Sequence, residues 1–383
     1  MNKVLLISIL LLLCFFSFAQ ELQHEAVAVN IEVPVRVFTK GKFVEDLGLD
    51  DFEVYEDGVL QKIEALYLVK KTVIEREETE LDQKTTRRTF LPEVSRTFVL
   101  VFEMTDYFPQ IEEALVYFFD NVFLPDDSLY VVSPKKTYSF KKEALNKVPK
   151  DVIVDQLKNK LKKEIVLAAS ELKSMIRDLE WYSTLLKEQQ GDVSAAMAAK
   201  TVLQRIKDYR YFDGKKLMDF RETLKNIRGQ KYVFLFYQKN IIPVPSNIGD
   251  VERPHISFSV DRVKKAFSDA LITINFIFVT KTDLYNIDGY RMNPSAAGEL
   301  QMIDHSEEIF GAFREMADAT GGISDSSADV AISFEKAAVS SENYYLLYYR
   351  PKAYTSDGKF KSIKVKIKGK NYTVTHRAGY MAD

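Results

Sequence analysis

The sequence has a single cysteine and no long hydrophobic run after its first twenty residues. Cys14 lies in the apolar stretch 4–16, which follows Lys3 and precedes the small-x-small triplet Ser17-Phe18-Ala19. This pattern is typical of a secretory signal, so we predict that residues 1–19 are removed and that the protein is periplasmic or extracellular. The mature chain is then expected to lack disulfides, a thiol nucleophile and a transmembrane segment.

Residues that mark enzymes and nucleic-acid binders are also scarce. The four histidines are far apart, and the sequence has no G-x-S-x-G or G-x-G-x-x-G motif. We find no hydrolase centre, zinc site or nucleotide cradle in this pattern. The formal net charge of −2 provides no overall positive field to attract nucleic acid. We therefore predict a non-enzymatic protein that requires no cofactor.

The most informative stretch is R-T-F-V-L-V-F-E-M-T-D, residues 96–106. Its apolar core opens a series of alternating strand and helix patterns, which predicts the buried first strand of a parallel sheet. Ligands of such sheets bind beyond the carboxyl ends of the strands. In this sequence that end has Glu103, Thr105 and Asp106, so we examine these three side chains as a candidate site.

Both ends of the chain have the alternating pattern of half-buried strands, in residues 24–70 and 343–383. We expect them to form one small antiparallel β domain, because short exposed strands need a partner sheet. Residues 71–95 are predicted to be a charged linker and residues 281–304 a polar loop. The α/β unit, residues 96–342, is then inserted into the β domain, with a doubly wound, mostly parallel sheet.

Residues 151–228 predict a helical hairpin, because apolar residues recur there every three or four positions. Gly191 and Asp192 interrupt the pattern and mark the tip. Forty helical residues are about 60 Å long, so the tip near Gly191, Asp192 and Met197 is expected to extend beyond the sheet. It would then contact a partner or cover the candidate site. The alternative is that the helices bend and pack on the sheet.

Several motifs resemble those of the bacterial secreted VWFA-related (von Willebrand factor A-like) proteins. They are D-D-F-E-V-Y-E-D-G at 50–58 with Gln61, A-T-G-G at 319–322, N-Y-Y-L-L-Y-Y-R-P at 343–351, F-K-S-I-K-V-K at 360–366 and R-A-G-Y at 377–380. The resemblance implies an A-type domain with a metal-ion-dependent adhesion site. In that family the site reads Asp-x-Ser-x-Ser after the first strand, and a Thr and a later Asp complete it.

The sequence departs from that metal site at most of its positions. Glu103 replaces the first Asp, Thr105 the first Ser and Tyr107 the second Ser, and the later Asp falls at Tyr237 or Gln238. We therefore predict a degenerate site and a binding or adhesion module whose partner is a protein or a cell-envelope component. The alternative is an adhesion domain that retains Mg²⁺ or Mn²⁺ at Glu103, Thr105 and Asp106.

Overall fold

The computed structural model describes residues 29–79, 92–140, 142–189, 192–210, 214–238, 241–245, 258–280, 300–304, 306–369 and 371–382. The predicted signal, residues 1–19, lies outside these ranges. The strands are β1 Ile31–Thr39, β2 Lys42–Phe43, β3 Phe52–Glu56, β4 Val59–Gln61, β5 Ile63–Lys70, β6 Val73–Thr79, β7 Arg96–Glu103, β8 Ser128–Val132, β9 Thr137–Phe140, β10 Gln230–Gln238, β11 Ile241–Pro245, β12 Ile272–Val279, β13 Leu300–Asp304, β14 Ser324–Ser327, β15 Asn343–Tyr349, β16 Phe360–Ile367, β17 Thr373–His376 and β18 Gly379–Met381.

The helices alternate with the strands in the middle of the chain. They are α1 Gln110–Tyr117, α2 Lys142–Lys147, α3 Lys150–Glu188, α4 Val193–Arg210, α5 Gly214–Lys225, α6 Val260–Asp269, α7 Ser306–Thr320 and α8 Val330–Ala338. A π-helical turn, Phe118–Val122, extends α1, and short 3-10 turns lie at Leu49–Asp51 and Val339–Ser341. No helix of the described residues combines the length and apolarity needed to cross a membrane.

The central sheet has the strand order β14-β12-β10-β7-β8-β9. Its first five strands are parallel neighbours, while β9 runs antiparallel to β8. Strand β7 is buried from Arg96 to Phe102 and apolar from Phe98 to Phe102, because both faces of the sheet are covered. Phe98, Leu100 and Phe102 face a core shared with α1, α8 and the first half of α3. Val99 and Val101 face a second core shared with α5, α6 and α7.

The two ends of the chain pair with each other in antiparallel sheets. A six-stranded terminal sheet has the order β17-β1-β15-β5-β6, with β2 beside β1, and a four-stranded sheet has the order β18-β16-β3-β4. Residue pairs such as Ile31 with Tyr349 and Val54 with Val365 join residues from opposite ends of the chain. The inner faces of both sheets enclose a single core that includes Val35, Leu66 and Tyr345.

The fold class predicted from the sequence is wrong. The chain is a mixed α/β structure in which an antiparallel sheet of six strands is as large as the central sheet. The central sheet is itself mixed, because the short turn at residues 133–136 returns β9 beside β8 in the opposite direction. Parallel neighbours need a long crossover, which a turn of this length does not allow. The protein is therefore a mixed α/β structure and not a doubly wound, mostly parallel sheet.

Two local predictions also need correction. Residues 73–79 of the predicted linker form β6, which pairs with β5, and residues 80–91 lie outside the described residues. Residues 300–304 of the predicted loop form β13, which pairs with β11. Both strands were predicted as linker or loop because they are short or highly charged. Neither has the alternation of apolar and polar residues from which strands were predicted.

Two buried arginines connect the central sheet to the terminal sheet, and one of them forms a buried ion pair. The Arg96 Nη2 lies 2.6 Å from Asp127 Oδ2, and both side chains are fully buried. Arg96 also donates to the carbonyl oxygens of Val122 and Ser341. From the terminal sheet, Arg36 donates to the carbonyl oxygens of Ser340 and Gly321. The two arginines thus connect β1, β7 and the residues that lead into β15.

Candidate functional site

The candidate site lies where β7 and β10 end side by side. The two strands are parallel, and Tyr237 of β10 is in register with Glu103 of β7. The next residue of β10, Gln238, is therefore level with the chain that leaves β7. Thr105 and Asp106 lie in that chain, and the side chain of Gln238 is completely buried beside them.

Gln238 makes four hydrogen bonds to the loop that follows β7. Its Oε1 accepts from Thr105 N at 2.8 Å, from Thr105 Oγ1 at 3.0 Å and from Asp106 N at 2.9 Å. Its Nε2 donates to Asp106 Oδ2 at 2.6 Å. A carboxamide provides both the acceptor oxygen and the donor N–H that this arrangement uses, and it is uncharged.

The residues present do not fit a divalent cation. Mg²⁺ and Mn²⁺ need several oxygen ligands with lone pairs directed at one point. Here the Thr105 hydroxyl hydrogen is directed at Gln238, and Asp106 Oδ2 accepts from the Gln238 amide. The described residues contain no group of three or more His, Cys, Asp or Glu side chains arranged to hold a metal.

Glu103 and Tyr107 lie apart from the Gln238 cluster, which is formed by Gln238, Thr105 and Asp106. Side chains alternate along β7, so Glu103 is on the same face as Val101, and both line a cavity beneath α5. The Tyr107 ring packs against the core on the other face. Its hydroxyl is buried and has no hydrogen-bond partner among the described residues, and burial raises the pKa of Tyr107 above its ordinary value. The structure thus brings together Thr105, Asp106 and Gln238 and separates the other two predicted positions.

The helical hairpin extends past the candidate site. Glu164 of α3 accepts from Ser133, and Glu171 pairs with Lys135, in the turn after β8. These contacts place the middle of α3 at the carboxyl edge of the central sheet, since β8 is parallel to β7. From Glu171 the helix continues to Glu188, a further length of about 25 Å.

The projecting half of the hairpin has its own small core. Leu172, Ile176 and Leu179 of α3 pack against Leu203 and Ile206 of α4. The β11–β13 ribbon contributes Val244 and Leu300 to the same core. Both alternatives of the sequence analysis thus describe part of α3, because its first half packs on the sheet and its second half extends beyond it.

At the tip, the predicted residues have different roles. Gly191 lies outside the described residues. Asp192 caps α4, since its Oδ1 accepts from Ser194 N at 2.8 Å and from Ala195 N at 3.1 Å. Met197 is 66% exposed, and Val193, one helical turn earlier, is 71% exposed. These two neighbouring apolar side chains form an exposed patch on α4.

Sequence reasoning missed Trp181, the only tryptophan of the chain. It lies on α3 and is 63% exposed, although large aromatic side chains are usually mostly buried. A signal was available, because Trp181 falls outside the apolar stripe formed by Met175, Leu179 and Tyr182. Apolar residues outside such a stripe indicate an exposed patch, and Val193 and Met197 belong to the same class.

Comparison with known proteins adds no assignment. Neither a scan against protein-family models nor a search of curated proteins finds a match to this chain. The resemblance to VWFA-related proteins therefore stays a prediction based on the motifs quoted above.

Proposed function

We propose that this is an exported, non-enzymatic binding module with a degenerate metal-ion-dependent adhesion site. Its partner is a protein or a cell-envelope component, and binding takes place without a metal. The observation that supports this proposal best is the Gln238 cluster. A neutral amide makes four hydrogen bonds at the place where a cation would need open oxygen ligands.

The exposed residues of the hairpin support a role in recognition. We define the hairpin patch as the neighbouring Val193 and Met197 of α4; Trp181 of α3 is a further exposed apolar side chain of the hairpin, and each of the three is more than 60% exposed. Tryptophan and methionine are enriched at protein interfaces, where they bury large areas. The hairpin also presents this patch beyond the body of the protein, where a partner can approach it.

Site-specific photo-crosslinking in the native cell envelope tests the proposal. A photoreactive residue is placed at Met197, and a matched control is placed at Val59, which is 54% exposed on a strand of the four-stranded sheet. We expect a discrete crosslinked species from position 197 only, unchanged by EDTA. Replacing Trp181 and Val193 with serine in the Met197 probe protein should remove that species.

Calorimetry separates this proposal from the metal-dependent alternative. We expect no heat of binding when Mg²⁺ or Mn²⁺ is titrated into the purified protein. Saturable binding that Glu103→Ala abolishes would support the alternative instead. Crosslinks that EDTA removes would also support the alternative.

A further inference from the structure

A cavity of about 250 Å³ lies between the central sheet and three helices. Its floor is formed by Val101, Val233 and Ile274 from three neighbouring strands. Its roof is formed by Phe220, Phe267 and Phe313 from α5, α6 and α7. These six side chains are apolar, so the inner part of the cavity has no group that would hold an ordered water molecule.

The size of the cavity indicates the kind of molecule that fits it. Protein interiors contain few voids larger than a water molecule, so a space of this volume is unusual for a packed core. An apolar cavity of roughly 150 Å³ is large enough to bind benzene. The cavity here is therefore suited to a short alkyl chain or one to two rings, and it is too small for a helix of a partner protein.

Three polar side chains line the same cavity and mark its opening. Glu103 and Tyr209 are partly exposed, and Lys216 is exposed, whereas most of the apolar lining is buried. Lys216 has a flexible side chain, and among the described residues its Nζ makes one weak contact, 3.5 Å from Asp208 O. Its ammonium group can therefore reach the head group of a molecule whose apolar part occupies the cavity.

We propose that this cavity binds a small amphipathic carboxylate, such as a medium-chain fatty acid or an arylalkanoic acid. The apolar body lies between the strands and the three phenylalanines, and the carboxylate lies beside the Lys216 ammonium. Glu103 lines the same opening, so its negative charge opposes the head group and limits affinity. This inference is independent of the hairpin patch, which involves other residues.

Titration calorimetry with octanoate, octanol and octylamine tests the proposal on the purified protein. We expect octanoate to bind with one-to-one stoichiometry and more tightly than octylamine. Lys216→Met should weaken octanoate binding about fivefold, as expected for the loss of one partly exposed ion pair. Glu103→Gln should strengthen octanoate binding and weaken that of octylamine, because the change removes a negative charge.

Matched variants keep the result interpretable. Lys215→Met is the control for Lys216→Met, because Lys215 pairs with Asp219 and does not line the cavity. Val233→Phe fills the cavity and should abolish binding of all three probes, with circular dichroism as the check on folding. The proposal is overturned if octanoate shows no saturable binding, if octylamine binds more tightly, or if Lys215→Met and Lys216→Met behave alike.

Discussion

The amide of Gln238 donates to the carboxylate of Asp106 at 2.6 Å, although the two residues are 132 positions apart in the chain. The same side chain accepts from the backbone N–H of Asp106 and from Thr105. A single neutral residue at the end of β10 therefore determines the conformation of the loop after β7. This hydrogen bond explains how the loop is held without a cation.

Gln238→Glu should make the protein dependent on divalent cations. The new carboxylate, at a completely buried position, would face the partly buried Asp106 Oδ2, and two negative charges at this distance repel each other. We expect a loss of roughly 2–4 kcal/mol in the free energy of unfolding near neutral pH. Acidic pH or added Mg²⁺ or Mn²⁺ should restore part of it, because a proton or a cation neutralises the pair. Thermal unfolding at neutral and acidic pH, with and without the cations, measures the loss of stability and its recovery.

Gln238→Met is the control for that experiment. It removes the same hydrogen bonds but adds no charge, so its loss of stability should not respond to cations. Stabilisation of the wild-type protein by Mg²⁺ or Mn²⁺ would contradict the proposal that the site is degenerate.

Lys231→Met should change how stability depends on pH. Lys231 is only 4% exposed and donates to Ile227 O at 2.9 Å. Burial lowers its pKa to about 8, although Glu32 opposes this shift. A lysine whose pKa is lower in the folded state destabilises the fold where it is protonated, and the penalty disappears as the pH rises from about 8 to about 10.5.

The difference between the variant and the wild type isolates this effect. At neutral pH Lys231→Met should have the higher free energy of unfolding, and its advantage should shrink as the pH rises through that window. Urea unfolding at a series of pH values measures the difference. An advantage that stays constant or grows with pH would show that Lys231 is not held with a lowered pKa.

Removing one partner of the buried ion pair should be costly. Arg96→Met would leave the Asp127 carboxylate without the guanidinium, and Asp127 is completely buried. We expect a loss of roughly 3–5 kcal/mol in the free energy of unfolding, as for other broken buried pairs. The exposed pair Lys215–Asp219 is the control, and Lys215→Ala should change stability by less than about 0.5 kcal/mol. Equal effects of the two substitutions would refute the prediction.

Substitution by alanine should change stability in opposite directions at two glycines, one inside α7 and one just after it. A Cβ on Gly322 would lie 1.9 Å from the carbonyl oxygen of Ile274, so Gly322→Ala requires the backbone to move. We expect Gly322→Ala to lower the free energy of unfolding by an amount on the order of 2–4 kcal/mol. Gly311 is an exposed position inside α7 with no atom within 4 Å of an added Cβ, and Gly311→Ala should stabilise the protein by about 0.5–1 kcal/mol. Thermal denaturation of both variants checks the signs, and destabilisation by Gly311→Ala would contradict this account.

Local periodicity was enough to identify several elements before the structure was known. The apolar run at residues 97–102 lies within β7, and the stripe that includes Leu172 and Leu179 belongs to α3. The pair Gly321-Gly322 follows the end of α7, where Gly321 has a φ of +75° that favours glycine. These features depend on the backbone preferences of neighbouring residues, which the sequence records directly.

The helix cap that precedes α8 shows the limit of local signals. Ser326 or Ser327 is a plausible first residue by type, but both lie in β14 and pair with β12. Asp329 is the cap, because its Oδ1 accepts from Ala331 N at 3.0 Å and from Ile332 N at 3.3 Å. All three residues are good caps in isolation, so only the extent of the sheet decides between them.

The sequence by itself located elements with strong apolar periodicity, such as β7 and α3, and it provided the motif resemblance from which a degenerate metal site is predicted. The tertiary structure decided the direction of β9, the contact between Gln238 and Asp106, and the separation of Glu103 from both. It also left Trp181 exposed and formed the cavity beneath α5. The physical reason is that periodicity reports the burial of a residue relative to its neighbours in the chain. Hydrogen bonds and cavities instead depend on side chains that folding brings together from distant positions.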